Sequence, residues 1–223
     1  MTSLLVALTL AAAINPAGHW EGTLDTPQTS VPFQVDFAQA DGALVGALSI
    51  PMQRLKGLPL TKIVVDGNAI TFGARSDQLL SAVIAEDGKT MAGTFTADAF
   101  SLPFTLTRTG EASIEAPPAS PRIGKDLEGT WQARLGDGSV EAHVLLTMRN
   151  DPDGMARGEI VNLDEGGLRL PIAIAQTAAG VTVETRAVAS TFAGVLNSAG
   201  ELVGTYHQGA LEIPVTFRKA DSR

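Results

Sequence analysis

"GHWEGTLDT" (Gly18–Thr26) returns 111 residues later as "GTWQARLGD" (Gly129–Asp137), and these two stretches hold both tryptophans of the chain. Much the same offset carries "DGALVGALSIP" (41–51) onto "DGMARGEIVNL" (153–163) and "GLPL" (57–60) onto "GLRL" (167–170). It also carries "MAGTF" (91–95) onto "LVGTY" (202–206) and "LPFTLTR" (102–108) onto "IPVTFRK" (213–219). Five matches in order, drifting by one residue only at turns, mark an internal duplication, because loops tolerate single insertions and strands do not.

Within each copy the hydrophobic period is two. Val31, Phe33, Val35 and Phe37 alternate with Gln34 and Asp36, and Phe100, Leu102, Phe104 and Leu106 stand opposite Ser101, Pro103, Thr105 and Thr107. Copy two repeats this with Leu211, Ile213, Val215 and Phe217 against Glu212, Pro214 and Thr216. Such alternation predicts strands with one buried face. Turn signals at Asp41-Gly42, Asp66-Gly67-Asn68, Asp87-Gly88, Asp153-Gly154 and Ala199-Gly200 separate them.

The pattern predicts an all-β chain of about eight short strands per copy. In copy one they fall near 19–25, 31–37, 43–50, 59–65, 69–75, 79–84, 90–96 and 100–108. Consecutive hairpins of this kind close without free edges as small up-and-down antiparallel β-barrels, two in tandem. Mid-strand Gly46, Gly93, Gly158 and Gly204 mark bends at barrel corners. Two open sheets packed face to face, or one larger barrel made by both copies, are the alternative architectures. The expected division is a leader at 1–17, a first repeat at 18–108, a linker at 109–126 and a second repeat at 127–219. "TGEASIEAPPASPRIGKD" (109–126) is rich in Pro and Ala and lacks alternation, which reads as a linker.

Composition narrows function. The 223 residues are 44% hydrophobic and 18% charged, which is globular. The net charge is −8, from 16 basic and 24 acidic residues, with no basic run, so nucleic acid is not an expected partner. There is no cysteine, which removes disulfides, thiolate metal sites and thiol nucleophiles. The N-terminus places the apolar run Leu4–Leu10 before Ala11-Ala12-Ala13, an A-x-A-like cleavage pattern without a basic n-region. It reads as a secretory signal peptide and is too short for a membrane span, so a periplasmic or secreted location is expected.

Gly18-His19-Trp20 and Gly129-Thr130-Trp131 each resemble the opening strand of the lipocalin and avidin-like barrels. That resemblance implies a tryptophan plugging the closed end, with an arginine on or after the last strand packed across it. Arg108 closes the last strand of copy one, and Arg218 with Lys219 closes that of copy two. The implied plugs are therefore Trp20 with Arg108 and Trp131 with Arg218. Taken whole, each copy resembles the roughly 100-residue β domain that precedes the catalytic domain in many exported bacterial α/β-hydrolase-type proteins. The motifs carrying this are Trp20-Glu21-Gly22-Thr23-Leu24, Asp41 to Leu48, Gly57 to Leu60, Gly93-Thr94-Phe95 and Pro103 to Arg108. Copy two departs at Ala133 and Arg169, and no hydrolase domain is expected within these 223 residues. The resemblance implies a fold and no activity.

Chemistry-bearing motifs are few. No G-x-S-x-G elbow, phosphate loop or H-E-x-x-H occurs. His19, His143 and His207 fall out of phase with their apolar faces and are expected on the surface. "NDPDGMARGE" (150–159) gathers Asp151, Asp153 and Glu159 without EF-hand spacing and reads as a turn. Asp164-Glu165 and Glu86-Asp87 precede glycines and read as solvated hairpin tips. In-phase positions carry almost no ionisable group, so no catalytic residue, cofactor or metal is expected. A barrel of short strands can be filled by its own side chains. Any ligand would be small and apolar and would enter at the barrel end opposite Trp20 or Trp131. The expected role is a non-enzymatic binding or accessory module. The alternatives are a scaffold for another exported protein such as a separate hydrolase, and an enzyme using outward carboxylates at a seam between barrels.

Overall fold

The computed structural model describes residues 14–98, 100–136 and 141–220. Most of the leader expected at 1–17 lies outside them. Nine strands make up the first half: β1 (Gly18–Asp25), β2 (Ser30–Ala40), β3 (Ala43–Ile50), β4 (Leu55–Pro59), β5 (Lys62–Asp66), β6 (Ala69–Arg75), β7 (Gln78–Ile84), β8 (Thr90–Ala97) and β9 (Phe100–Gly110). The second half holds β10 (Gly129–Gly136), β11 (Glu141–Asn150), β12 (Ala156–Asn162), β13 (Leu168–Thr177), β14 (Gly180–Thr185), β15 (Ser190–Leu196), β16 (Leu202–Gln208) and β17 (Leu211–Lys219). The all-β meander is as the alternation dictates.

The second half is a closed eight-stranded barrel, sealed where β17 pairs with β10. The first half corrects the expectation of two closed barrels. It is one nine-stranded sheet in the order β4-β3-β2-β1-β9-β8-β7-β6-β5, curled but open between β4 and β5. The reason lies in the fourth strand of each copy. In copy two, β13 pairs with β12 through residues 168–172 and with β14 through 173–177, one unbroken strand serving two neighbours. In copy one the same path breaks into two strands, β4 ending at Pro59 and β5 beginning at Lys62. The Leu60 N–H bonds Gly46 on β3, and the next one, Thr61, bonds Gly73 on β6. The chain thus changes partner at Leu60–Thr61 between two separate strands, where copy two does so within one continuous strand. Neither edge runs on as a long exposed template for another chain.

Each half has its own core. Trp20, Phe37, Phe72, Phe104, Ile84 and Met91 are fully buried in the first, with Phe72 meeting Phe37 and Phe104 edge to face. Trp131, Leu146, Met148, Ile172 and Leu202 are fully buried in the second. Gly93 and Gly204 sit where strands approach closely. A Cβ on either would lie 2.1 Å from a neighbouring carbonyl, of Ser81 and Ala193 respectively.

The two tryptophans are solved alike. Each indole N–H donates to a carbonyl four residues upstream: Trp20 to Pro16 at 2.8 Å and Trp131 to Leu127 at 3.0 Å. A cation covers each ring, Arg108 at 4.7 Å over Trp20 and Lys219 at 4.9 Å over Trp131. Lys219 displaces Arg218 from the expected plug. It is the register partner of Trp131, whereas Arg218 lies opposite Gln132, points outward and pairs with Glu201 at 2.8 Å. Period two leaves no other arrangement, since adjacent residues face opposite sides.

The boundaries also shift. Ile14 packs on the first core, and the Asn15 carbonyl accepts a bond from Arg108 at 2.6 Å, so residues 14–17 belong to the folded unit. The linker is a strap and not a free tether. Ser120 bridges to Ala156 in both directions and its hydroxyl accepts the Ile174 N–H at 2.7 Å. Ile123 is buried, and its N–H bonds Asn150.

Replacing Lys219 with alanine is expected to cost about 1 kcal/mol of unfolding free energy in urea titration. Arg218→Ala is expected to stay within about 0.5 kcal/mol, and Trp131→Ala to cost about 3–5 kcal/mol. Equal losses from Arg218→Ala and Lys219→Ala would contradict this plug.

Candidate functional site: a cavity shared by the two halves

The halves meet at their open ends. The turn between β12 and β13 docks on the turn between β6 and β7, where the Ser76 N–H and hydroxyl both donate to the Gly166 carbonyl, at 3.0 and 2.9 Å. Arg75 holds Asp77 through two bonds and lies 3.6 Å from Glu165. Asp164, for its part, accepts the His143 N–H at 2.7 Å. The pair read as a solvated hairpin tip is therefore a junction element. Leu170 and Ala187 from the second half are buried in the core of the first.

Between these ends lies a cavity of about 1030 Å³. Phe33, Leu48, Leu80 and Phe95 line it from the first half, and Val144, Leu170 and Ile213 from the second. From the opening strands it is Leu24 and Leu135 that reach it, so the tryptophans close the far ends. Phe100 and Leu211, equivalent residues of the two copies, line the cavity yet are 52% and 46% exposed, so they flank its opening to solvent. Sequence reasoning places a ligand at an open end of one barrel or the other. The structure merges the two ends into one chamber.

The wall is not uniform in chemistry. Arg75 and Glu165 are the charged side chains on it among the described residues, and they are engaged at the junction. Thr185 and Ser190 are buried polar residues on the second half's wall, beside Tyr206. The Tyr206 hydroxyl donates to Gln208 at 3.1 Å, and the Gln208 amide donates to the Val188 carbonyl at 3.1 Å. Burial pushes the Tyr206 phenol above its usual range, opposed by its bond to Ser190, so it remains an O–H group at neutral pH.

The other candidate residues resolve individually. Asp151 and Asp153 form a turn whose carboxylates hold Arg157 at 2.8 and 2.7 Å, and Glu159 bonds Arg169 at 2.6 Å. Arg157 holds the Asp153 carboxyl below its ordinary range. Asp87 caps its own turn by accepting the Lys89 N–H. His207 lies on the surface 3.5 Å from Glu212. His19 departs from the expected solvated group. Its Nδ1 is 2.8 Å from the buried Asp36, its register partner across β1–β2, and its Nε2 is 3.2 Å from Glu21. Asp36 also accepts the Ser113 N–H from the strap, which is what covers this pair.

No protein-family model matches this chain, and no curated protein matches it. Among solved structures it is similar to a Bacteroides fragilis protein named "putative outer membrane protein", at 12% identity and a TM-score of 0.28. That match covers 92% of this chain and 97% of the other. It is also similar to a Nostoc punctiforme protein of unknown function from the DUF3598 family, at 13% identity and a TM-score of 0.27, covering 90% and 94%.

Burial disfavours the charged form of His19, and the bonds to Asp36 and Glu21 outweigh it, so the imidazole is raised above 6.5. A raised folded-state value stabilises the fold fully below the unfolded pKa and loses that contribution as pH rises through the folded one. The unfolding free-energy gap between wild type and His19→Gln is therefore expected to shrink from pH 5 to pH 9. Urea titrations at a series of pH values measure it, and a gap that widens with pH would contradict the assignment.

Proposed function

We propose that this chain is an exported, non-enzymatic binding protein, periplasmic or secreted, which holds a small apolar ligand between its two halves. The observation that supports this best is the cavity itself. Its volume, about 1030 Å³, is at the upper end of ordinary small-molecule sites. Its wall is mostly aliphatic and aromatic, and it opens to solvent beside Phe100 and Leu211. A chamber of this size lined by Leu, Val and Phe is poorly hydrated when empty, so an apolar guest gains contacts that water cannot supply. Arg75 and Glu165, the charged side chains on the wall among the described residues, face each other at 3.6 Å.

The export part rests on the leader pattern ending at Ala13. Cleavage after Ala13 leaves intact the Asn15 and Pro16 carbonyls that hold Arg108 and Trp20.

Two measurements test the reading. Ala74 and Ala142 line the cavity from opposite halves. Ala74→Trp and Ala142→Trp are expected to weaken binding of a neutral fluorescent apolar probe by about ten-fold or more, with the unfolding transition retained. Unchanged probe binding in both variants, or none in wild type, would remove the proposal. Intact mass of the protein recovered from its own host is expected to match a chain beginning at Ile14. A mass that retains Met1 would remove the export reading.

A further inference from the structure

The two copies contribute unequal walls to the shared cavity. Tyr206 stands where the first copy has Phe95, and Thr185 where it has Ala74, and all four residues line the chamber. Duplication supplied equivalent positions, and the hydroxyls are confined to the second half. Thr185 and Ser190 are 3% and 2% exposed, so both sit inside the wall and not on the outer surface.

From this asymmetry we infer that the ligand is an uncharged amphiphile with a hydroxyl head group. Its head is received by Thr185, Ser190 and Tyr206, and its chain extends along Phe33, Leu48 and Phe95 of the first half. The inference rests on the binding role proposed above. Hydrogen-bond capacity selects the head. The Tyr206 proton is given to Gln208, and the phenol oxygen together with the Thr185 and Ser190 hydroxyls gives this wall both acceptors and donors. A ligand hydroxyl satisfies both kinds at once. A carboxylate can only accept, and it would leave water for a wall where the one cation, Arg75, is already held by Asp77 and Glu165. A bare alkane would leave the buried hydroxyls without a partner.

The test is displacement of the neutral fluorescent probe by three guests of one chain length: dodecanol, dodecanoate at pH 8 and dodecane. Dodecanol is expected to displace the probe at about ten-fold lower concentration than either of the others, the scale of one or two well-placed hydrogen bonds. In the double variant Thr185→Val with Tyr206→Phe, dodecanol is expected to lose most of its advantage over dodecane measured in the same variant. The first copy already tolerates phenylalanine at the position equivalent to Tyr206. Dodecanoate equal to or better than dodecanol would overturn the head-group assignment while leaving the binding role standing. A preference for dodecanol that survives the double variant would overturn it as well. A wild-type protein that takes up no probe would remove both.

Discussion

A short-stranded barrel has two ends, and a single indole closes one of them. In both halves that end is built alike: a buried tryptophan, its N–H held by the carbonyl four residues upstream, and a cation across its face. The other end carries apolar rim residues that no indole covers, and leaving such a rim in water is unfavourable in proportion to its area. The halves resolve this by facing each other, so that Leu170 and Ala187 of the second enter the core of the first. The strap, the junction turns and the cavity all follow from that choice of face.

The strap shows how the facing arrangement is held. A polar segment without alternation cannot build a strand face of its own, and the chain from 111 to 128 instead borrows partners from both halves. Ser113 bonds Asp36 on one side, while Ser120 and Ile123 bond β12, β13 and Asn150 on the other. Each backbone N–H tied in this way satisfies a group that would otherwise need water. The segment therefore fixes where the second half begins relative to the first, and His19 gains its buried carboxylate partner as a side effect.

Much of this was legible in the chain. The period-two runs place β2, β9 and β17 and their buried faces, because one side of each is in a core and the other is not. The duplication is legible because both copies retain turn glycines and strand phases. The closing cation of the second half was legible too, since the offset that aligns Trp20 with Trp131 also aligns Arg108 with Lys219; naming Arg218 is a one-residue slip, which in a strand means the opposite face. Other features were not legible. The break at Leu60–Thr61 depends on which neighbour each N–H finds, a tertiary matter, since Pro171 lies within the unbroken counterpart strand. The chain gives only the ends away from the tryptophans as the place for any ligand, in barrels that short strands can fill themselves; one chamber formed from two ends is a property of docking. No local pattern encodes it. Glu165 and Asp36 were missed for the same reason, as both acquire their roles from residues distant in sequence.

Why duplicate a barrel to make one site? A single half has little room, because its own residues fill it: Phe33, Phe72 and Phe104 already meet edge to face in the first. Two facing halves enclose a volume that neither encloses alone, and each wall is then free to diverge. One wall here stays apolar at Phe95 and Ala74 while the other acquires Tyr206 and Thr185, a polarity that a symmetric pair of identical chains could not show. A guest that touches both walls also contributes to holding the halves together, since anything that binds the docked state favours it by mass action. The junction at Arg75, Ser76 and Gly166 is small and partly exposed, and surface ion pairs of that kind contribute little. On the proposed binding role, occupancy of the chamber and docking of the two halves are therefore thermodynamically linked, and a ligand there would serve as part of the core that the two open ends lack.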